Sequence, residues 1–225
     1  MKPESTPTKQ GLEGTPSRLA TFALSMFAVY CLLLAVLHAV GGDHDPTINF
    51  VSEYQLGPFG WLLTLALASL ALGGAALLAA LHRSPVGLPG GTASLVAVWT
   101  GMTIVGAVFH VDPLQIAFAE EGPPAFTASG WVHALAGGVG ALCLMAAMLR
   151  LSLTWVRVIP RPPVRVAMLA LSLAAPATYL AMLLTRPGTF PAGLYQRAHL
   201  VTVAAWLLIV AAAARSGVFH RVQVE

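Results

Sequence analysis

The chain has 225 residues, of which 57% are hydrophobic and only 9% are charged, and its mean hydropathy is +0.77. So few charges cannot cover a water-soluble globule of this size, which argues against a soluble enzyme or a nucleic-acid-binding module and points to an integral membrane protein. The net charge of +3 then concerns topology and contact with anionic lipid rather than nucleic acid.

In chain order, residues 1–18 are polar and predict a disordered cytoplasmic tail. Apolar runs follow at 19–40, 60–81, 92–109, 131–151, 166–185 and 194–214, each near the roughly 20 helical residues that cross a hydrocarbon core of about 30 Å. The first exceeds the roughly 7–15 apolar residues of a signal-peptide core. None alternates with period two, as a transmembrane barrel would. Lipid leaves a spanning segment no partner but its own backbone, so the runs must be helices. The expected architecture is all-α: a polytopic bundle of six spans over residues 19–215, with short tails at 1–18 and 216–225.

Basic residues near span ends stay cytoplasmic. Lys2, Lys9, Arg18, Arg83, Arg150, Arg157, Arg161, Arg165, Arg215 and Arg221 fall on one side of a six-span arrangement, Arg186 and Arg197 on the other. Both termini are therefore expected in the cytoplasm. Cys31 and Cys143 lie inside predicted spans, where a thiol acts as a small hydrophobe. Gly73, Gly74, Gly137, Gly138 and Gly140 should let helices approach closely, and Pro176 should kink the fifth span. Trp61, Trp131, Tyr54 and Tyr195 sit where an outer aromatic belt belongs, while Trp99 and Trp206 lie deeper.

Polar chemistry concentrates on the side opposite the tails. Asp45, Ser52, Glu53, Tyr54, His110, Asp112, His133, Arg197 and His199 come from one loop and from span ends that antiparallel packing could gather. Three readings compete. Imidazoles and carboxylates are zinc ligands, so His110, His133 and His199 could hold a divalent metal, with Asp112 or Asp45 as a fourth or supporting group and Ser52 near the reacting atom. The spacing contains no HExxH pair. Alternatively, Arg197, one turn inside the last span, needs a partner, and Asp112, Glu53 or Asp45 could supply it in a structural clamp. It could also bind an anionic headgroup through its fork of donors. In the third reading the histidines and acids simply face water. No charge lies at the middle of a span, which disfavours an ion-coupled transporter.

Ser52-Glu53-Tyr54 through Leu56-Gly57-Pro58-Phe59-Gly60-Trp61, preceded by Asp45-Pro46 and followed by Asp112-Pro113, Gly130 and His133, resembles the bacterial membrane family catalogued as domain of unknown function 998. The similarity runs from the first span onward and includes the Gly-Leu-Tyr-Gln-Arg turn ending at Arg197. It implies a six-helix membrane protein of the bacterial inner membrane without an assigned activity. The chain departs from the family at His110, where relatives more often carry Phe-Pro ahead of the Asp. Asp45, Ser52, Glu53, Asp112, His133 and Arg197 remain as the outer cluster.

The functions compatible with these residues are a non-enzymatic protein whose outer cluster clamps loops or recognises a lipid headgroup or partner, an intramembrane metal-dependent hydrolase using Ser52, His133 and Asp112, or a small-molecule carrier. Membrane lipids are the expected partners, and oligomeric state is not legible in the sequence.

Overall fold

A computed structural model of the chain describes residues 10–42, 44–84, 87–118, 125–156, 159 and 161–216, without the side chains of 10–16 and 115. Asp43, Glu120, Glu121 and Arg157 and the chain ends are outside the described residues. All regular structure among the described residues is helical: α1 (Gln10–Val40), a 3-10 turn (Val51–Leu56), α2 (Gly60–His82), α3 (Thr92–Val108), α4 (Leu114–Ala117), α5 (Ala128–Trp155), α6 (Pro162–Leu183) and α7 (Ala192–Arg215).

Five of these helices are long and apolar enough to cross a membrane, and α3, with 17 residues, is a shorter apolar helix. At about 1.5 Å per residue it still reaches the lower limit for a span. The chain is thus a multi-pass membrane protein whose six long helices match the six apolar runs. Three helices differ from expectation by more than two residues at an end: α5 runs from Ala128 to Trp155 rather than over 131–151, and α1 and α6 start early. α1 begins at Gln10 rather than residue 19, carrying helix into the stretch expected to be disordered. α6 begins at Pro162, because Pro162 and Pro163 occupy its first turn, where proline's missing N–H has no helical partner to lose.

The helices run up and down, so the end of α1 meets the start of α7 through His38 and Arg197. At the opposite face, Arg150 near the end of α5 donates to the carbonyl of Gly90, just before α3. Helix contact is closest where side chains are smallest. A methyl group on Gly73 would fall 2.5 Å from the Phe27 ring, and one on Gly74 would fall 2.6 Å from Trp99, as expected where bilayer helices pack through small residues.

Packing is uneven along the bundle. Near the face carrying the chain ends, Leu81, Met148, Leu151, Trp155, Met168, Trp206, Leu207 and Val210 are fully buried. There Trp206 Nε1 donates to Ser152 Oγ (3.0 Å), and Ser152 Oγ donates to the Met168 carbonyl (3.2 Å), tying α7, α5 and α6 together. Near the opposite face, the buried residues of α6 stop: Met168, Ser172 and Ala175 are buried, and none beyond Pro176 is. One end of the bundle is filled and the other is hollow.

Candidate functional site

The loop between α1 and α2 covers the hollow end, and its own side chains shape it. Asp45 Oδ1 accepts from the backbone N–H of Thr47 (2.8 Å) and from Thr47 Oγ1 (2.7 Å), while its carbonyl accepts from the amides of Ile48 and Asn49. This is an aspartate-nucleated turn. The Thr47 hydroxyl, then its amide, and more distantly the charge of Arg197 hold the Asp45 carboxyl below the usual carboxylate range.

Glu53, in the 3-10 turn, is buried at 3% exposure. Its Oε2 accepts from the Phe50 amide (2.8 Å) and from Asn49 Nδ2 (3.3 Å); its Oε1 accepts from the Leu114 amide at the start of α4 (3.1 Å). One carboxylate therefore closes its own turn and pins the turn to the segment after α3. Gln55 repeats the stitch: Nε2 donates to the Gly106 carbonyl (3.1 Å) and Oε1 accepts from the Val111 amide (3.4 Å). From α7, Gln196 Oε1 accepts from the Val51 amide (2.5 Å), and the Gly193 amide donates to the Thr47 carbonyl (3.1 Å). Gly193 must be glycine for this approach, since a Cβ there would lie 2.6 Å from the Pro46 carbonyl oxygen and 2.7 Å from that of Asn49.

Arg197 does not pair with Asp112, Glu53 or Asp45. Its Nε donates to His38 Nε2 (2.9 Å), and its Nη1 donates to the carbonyls of Asn49 (2.7 Å) and Gly193 (3.1 Å). Its guanidinium carbon stands 6.0 Å from the Tyr54 ring centroid, a cation–π distance. His38 Nδ1 sits 2.7 Å from the Leu34 carbonyl and must donate to it, which leaves Nε2 the acceptor that Arg197 uses. Tyr54, expected in an interfacial belt, is instead 3% exposed and lies between the rings of His38 and His44. Trp61 and Trp131 are exposed, as a belt requires.

Asp112 serves the start of α5. Oδ2 accepts from the Thr127 amide (2.7 Å), and both carboxylate oxygens lie within reach of Thr127 Oγ1 (3.0 and 3.1 Å). Thr127 in turn caps the helix by accepting from the Gly130 amide (3.1 Å), the expected arrangement of a negative group at a helix N-terminus. A side chain on Gly130 would run into the Asp112 carboxylate, so Gly130 and Asp112 form one structural unit. His110 is held through its backbone carbonyl, which accepts from Ser129 Oγ (2.9 Å), and its ring is exposed.

Ser52, His133 and His199 are elsewhere, on the wall of a cavity of about 420 Å³ beneath the loop. His133 Nδ1 donates to the Phe109 carbonyl (2.8 Å), and His199 Nδ1 donates to that of Ala175 (3.0 Å). No hydrogen bond joins Ser52, His133 and Asp112, so the expected catalytic grouping is not assembled: Asp112 is engaged by Thr127 and His133 by a backbone carbonyl. Among the described residues no three His, Cys, Asp or Glu side chains are grouped so as to hold a metal ion. His110, His133 and His199 are thus not brought together as a ligand set.

The cavity is mostly apolar, walled by Leu67, Leu70, Trp99, Leu144 and Val203 among others, and roofed by Phe50, Val51 and Ser52. Among the described residues no Asp, Glu, Lys or Arg lines it. Its volume lies within the roughly 300–1,000 Å³ of small-molecule sites. Gly137 and Gly138 line it instead of packing helices: a methyl group on Gly137 would meet nothing within 4 Å, and one on Gly138 only the Tyr179 hydroxyl at 3.8 Å. Of the five glycines expected at helix contacts, these two instead face the cavity.

The sequence reading missed His38, Asn49, Gln55, Thr127, Tyr179 and Gln196. His38 and Gln196 carried a usable signal, being polar groups in the terminal turns of apolar helices.

No curated protein and no solved structure matches the chain. A family model described as "Protein of unknown function (DUF998)" matches residues 19–213, which spans the bundle from within α1 to near the end of α7 and includes the loop that covers the cavity. The chain belongs to this family.

Proposed function

We propose that this protein binds an apolar membrane ligand in the cavity under the loop, and that the acids of the outer cluster hold that roof in place. The carrying observation is the contrast between two kinds of polar residue. Glu53 and Asp112 are engaged by loop backbone and helix ends, Asp45 by Thr47 of its own turn, and Arg197 by the Asn49 and Gly193 carbonyls and His38, with only Arg197 Nη2 buried and without a partner among the described residues. The cavity, in contrast, is uncharged and ready for a ligand.

The distribution of Lys and Arg supports cytoplasmic termini. The loop and the cavity mouth then belong to the extracytoplasmic half of a bacterial inner membrane. The cavity wall reaches no deeper than Leu70, Trp99, Leu144 and Val203, and the buried cluster around Trp155 and Trp206 lies beyond it. This favours binding over a carrier with a path to both faces.

Native mass spectrometry of the detergent-purified protein tests the proposal. Wild type should carry a co-purifying amphiphile at near-equal stoichiometry, and Ala141→Phe, which fills the cavity wall, should lose it while keeping its melting temperature within a few degrees. Protein that is ligand-free when released from several mild detergents and native lipid nanodiscs alike would refute it.

A further inference from the structure

The cavity is not closed at its side. Ala134 and Gly137 of α5 and Leu183 of α6 line it and are also exposed on the outer surface of the bundle. Between them α5 presents no side chain, since Gly137 faces open space. Among the described residues, side-chain hydrogen bonds join this pair of helix regions lower down, through Ser152 and Met168 and through Arg165 Nη1, which donates to the Val156 carbonyl (3.2 Å), while beside Gly137 the Tyr179 hydroxyl approaches Gly138. The top, in contrast, is sealed by the 3-10 turn and its bonds to Gln196, Leu114 and Gly106. The open side faces the acyl chains of the bilayer.

The polar atoms inside define what can enter. Among the described residues Ser52 Oγ, Tyr179 Oη, Gln196 Nε2 and His199 Nε2 have no hydrogen-bond partner, although each residue lines the cavity. They form one arc. Val51 and Gln196 are bonded, Gln196 and His199 are one turn apart on α7, and the Tyr179 and His199 rings are 5.2 Å apart. Because the Ala175 carbonyl can only accept, His199 Nδ1 carries the ring proton and Nε2 of the neutral ring is an acceptor. Gln196 Oε1 is engaged by an amide, so its Nε2 is a donor. Two hydroxyls complete a set able to give and take hydrogen bonds without a formal charge.

Resting on the cavity-binding reading above, we propose that the ligand is a single-chain amphiphile with an uncharged, hydroxyl-bearing head, and that it enters sideways from the bilayer between α5 and α6 over Gly137. The head meets Ser52, Tyr179, Gln196 and His199 in the outer third of the bundle, and the chain runs inward along Leu67, Trp99 and Leu144. A carboxylate or phosphate head is disfavoured because no cation lines the cavity and a charge buried without one is costly. A hydroxyl head can donate to His199 Nε2 and accept from Gln196 Nε2.

The test uses the protein in nanodiscs and three probes with the same chain: a monoacylglycerol, the corresponding fatty acid and the corresponding lysophosphatidic acid. The monoacylglycerol should bind about tenfold or more tightly than either charged probe, the margin expected from burying an uncompensated polar group. The combined variant Tyr179→Phe with His199→Phe should erase that preference. Gly137→Trp should slow association and dissociation by about tenfold, as a blocked passage must. Leu142→Trp, on the exposed face of α5 and away from the cavity lining, serves as a control with wild-type rates.

Equal or tighter binding of a charged probe would overturn the ligand class while leaving the cavity site standing. Unchanged rates in Gly137→Trp, or slowing by Ser52→Trp in the roof instead, would overturn the sideways path. Failure of all three probes, together with no co-purifying amphiphile, would sink the cavity-binding reading itself.

Discussion

Replacing Glu53 by Ala removes the one acceptor shared by the Phe50 amide, the Leu114 amide and Asn49 Nδ2. Leu114 is buried, and Glu53 itself is 3% exposed, so water has little room to replace the carboxylate before the loop moves. A hydrogen bond to a charged group contributes about 1.5–3 kcal/mol, and a buried donor left unpaired costs about 1–3 kcal/mol. The three bonds share one group and are not additive, and Asn49 Nδ2, at 3.3 Å, is the weakest. Two strong bonds therefore set an expected loss of about 3–5 kcal/mol. Glu53→Gln keeps one acceptor oxygen but turns an NH2 toward either Phe50 or Leu114, a donor facing a donor, and should cost about 1–3 kcal/mol.

The assay is unfolding in mixed micelles, followed by far-ultraviolet circular dichroism and tryptophan fluorescence, with Leu56→Ala as an exposed control in the same turn. The order of stability should be wild type, then Glu53→Gln, then Glu53→Ala. A Glu53→Ala protein within about 0.5 kcal/mol of wild type, the range of an ordinary surface change, would refute the view that this carboxylate clamps the roof.

Two further outcomes follow from the same stitching. Gly130→Ala places a methyl group against the Asp112 carboxylate and should cost about 1–3 kcal/mol as an overpacked contact, whereas Gly130→Ala combined with Asp112→Ala should recover part of that loss; a double variant no better than the single one would contradict the pairing. For Asp45, the folded carboxyl titrates below the unfolded one. Its contribution is thus present above the unfolded value of about 3.9 and lost as pH falls through the lower folded value. Hydrogen exchange of the segment 44–56 should be faster in Asp45→Asn than in wild type at pH 5, and the difference should shrink progressively as pH falls below the unfolded value of about 3.9, while a difference that grows as pH falls would reverse the sign.

The sequence alone determined the class of structure. Six apolar runs of near-span length leave the chain no folded state but a helical bundle in lipid, because backbone groups there must pair within each segment. Most of their ends came out within two residues of expectation; the starts of α1 and α6 and both ends of α5 did not, because polar residues and first-turn prolines can extend a helix beyond its apolar run. The sequence also located the polar residues at one face, since polar groups are expelled from hydrocarbon whatever the fold.

Which partner each polar group takes was decided only by tertiary structure. Arg197 needed an acceptor, and the sequence suggested carboxylates; the fold supplied carbonyls of Asn49 and Gly193 and a histidine nitrogen, which sequence cannot distinguish from any other backbone or ring. Asp112 and His133 looked like a catalytic pair, yet their helix ends are turned to different tasks, one capping α5 and the other bonding to Phe109. Gly73 and Gly137 sit in the same kind of Gly-Gly pair, and only their neighbours differ: Phe27 presses on the first, and nothing meets the second. A missing side chain reads the same whether it admits a helix or leaves an opening, because that difference lies in the separation of two helices and not in either one.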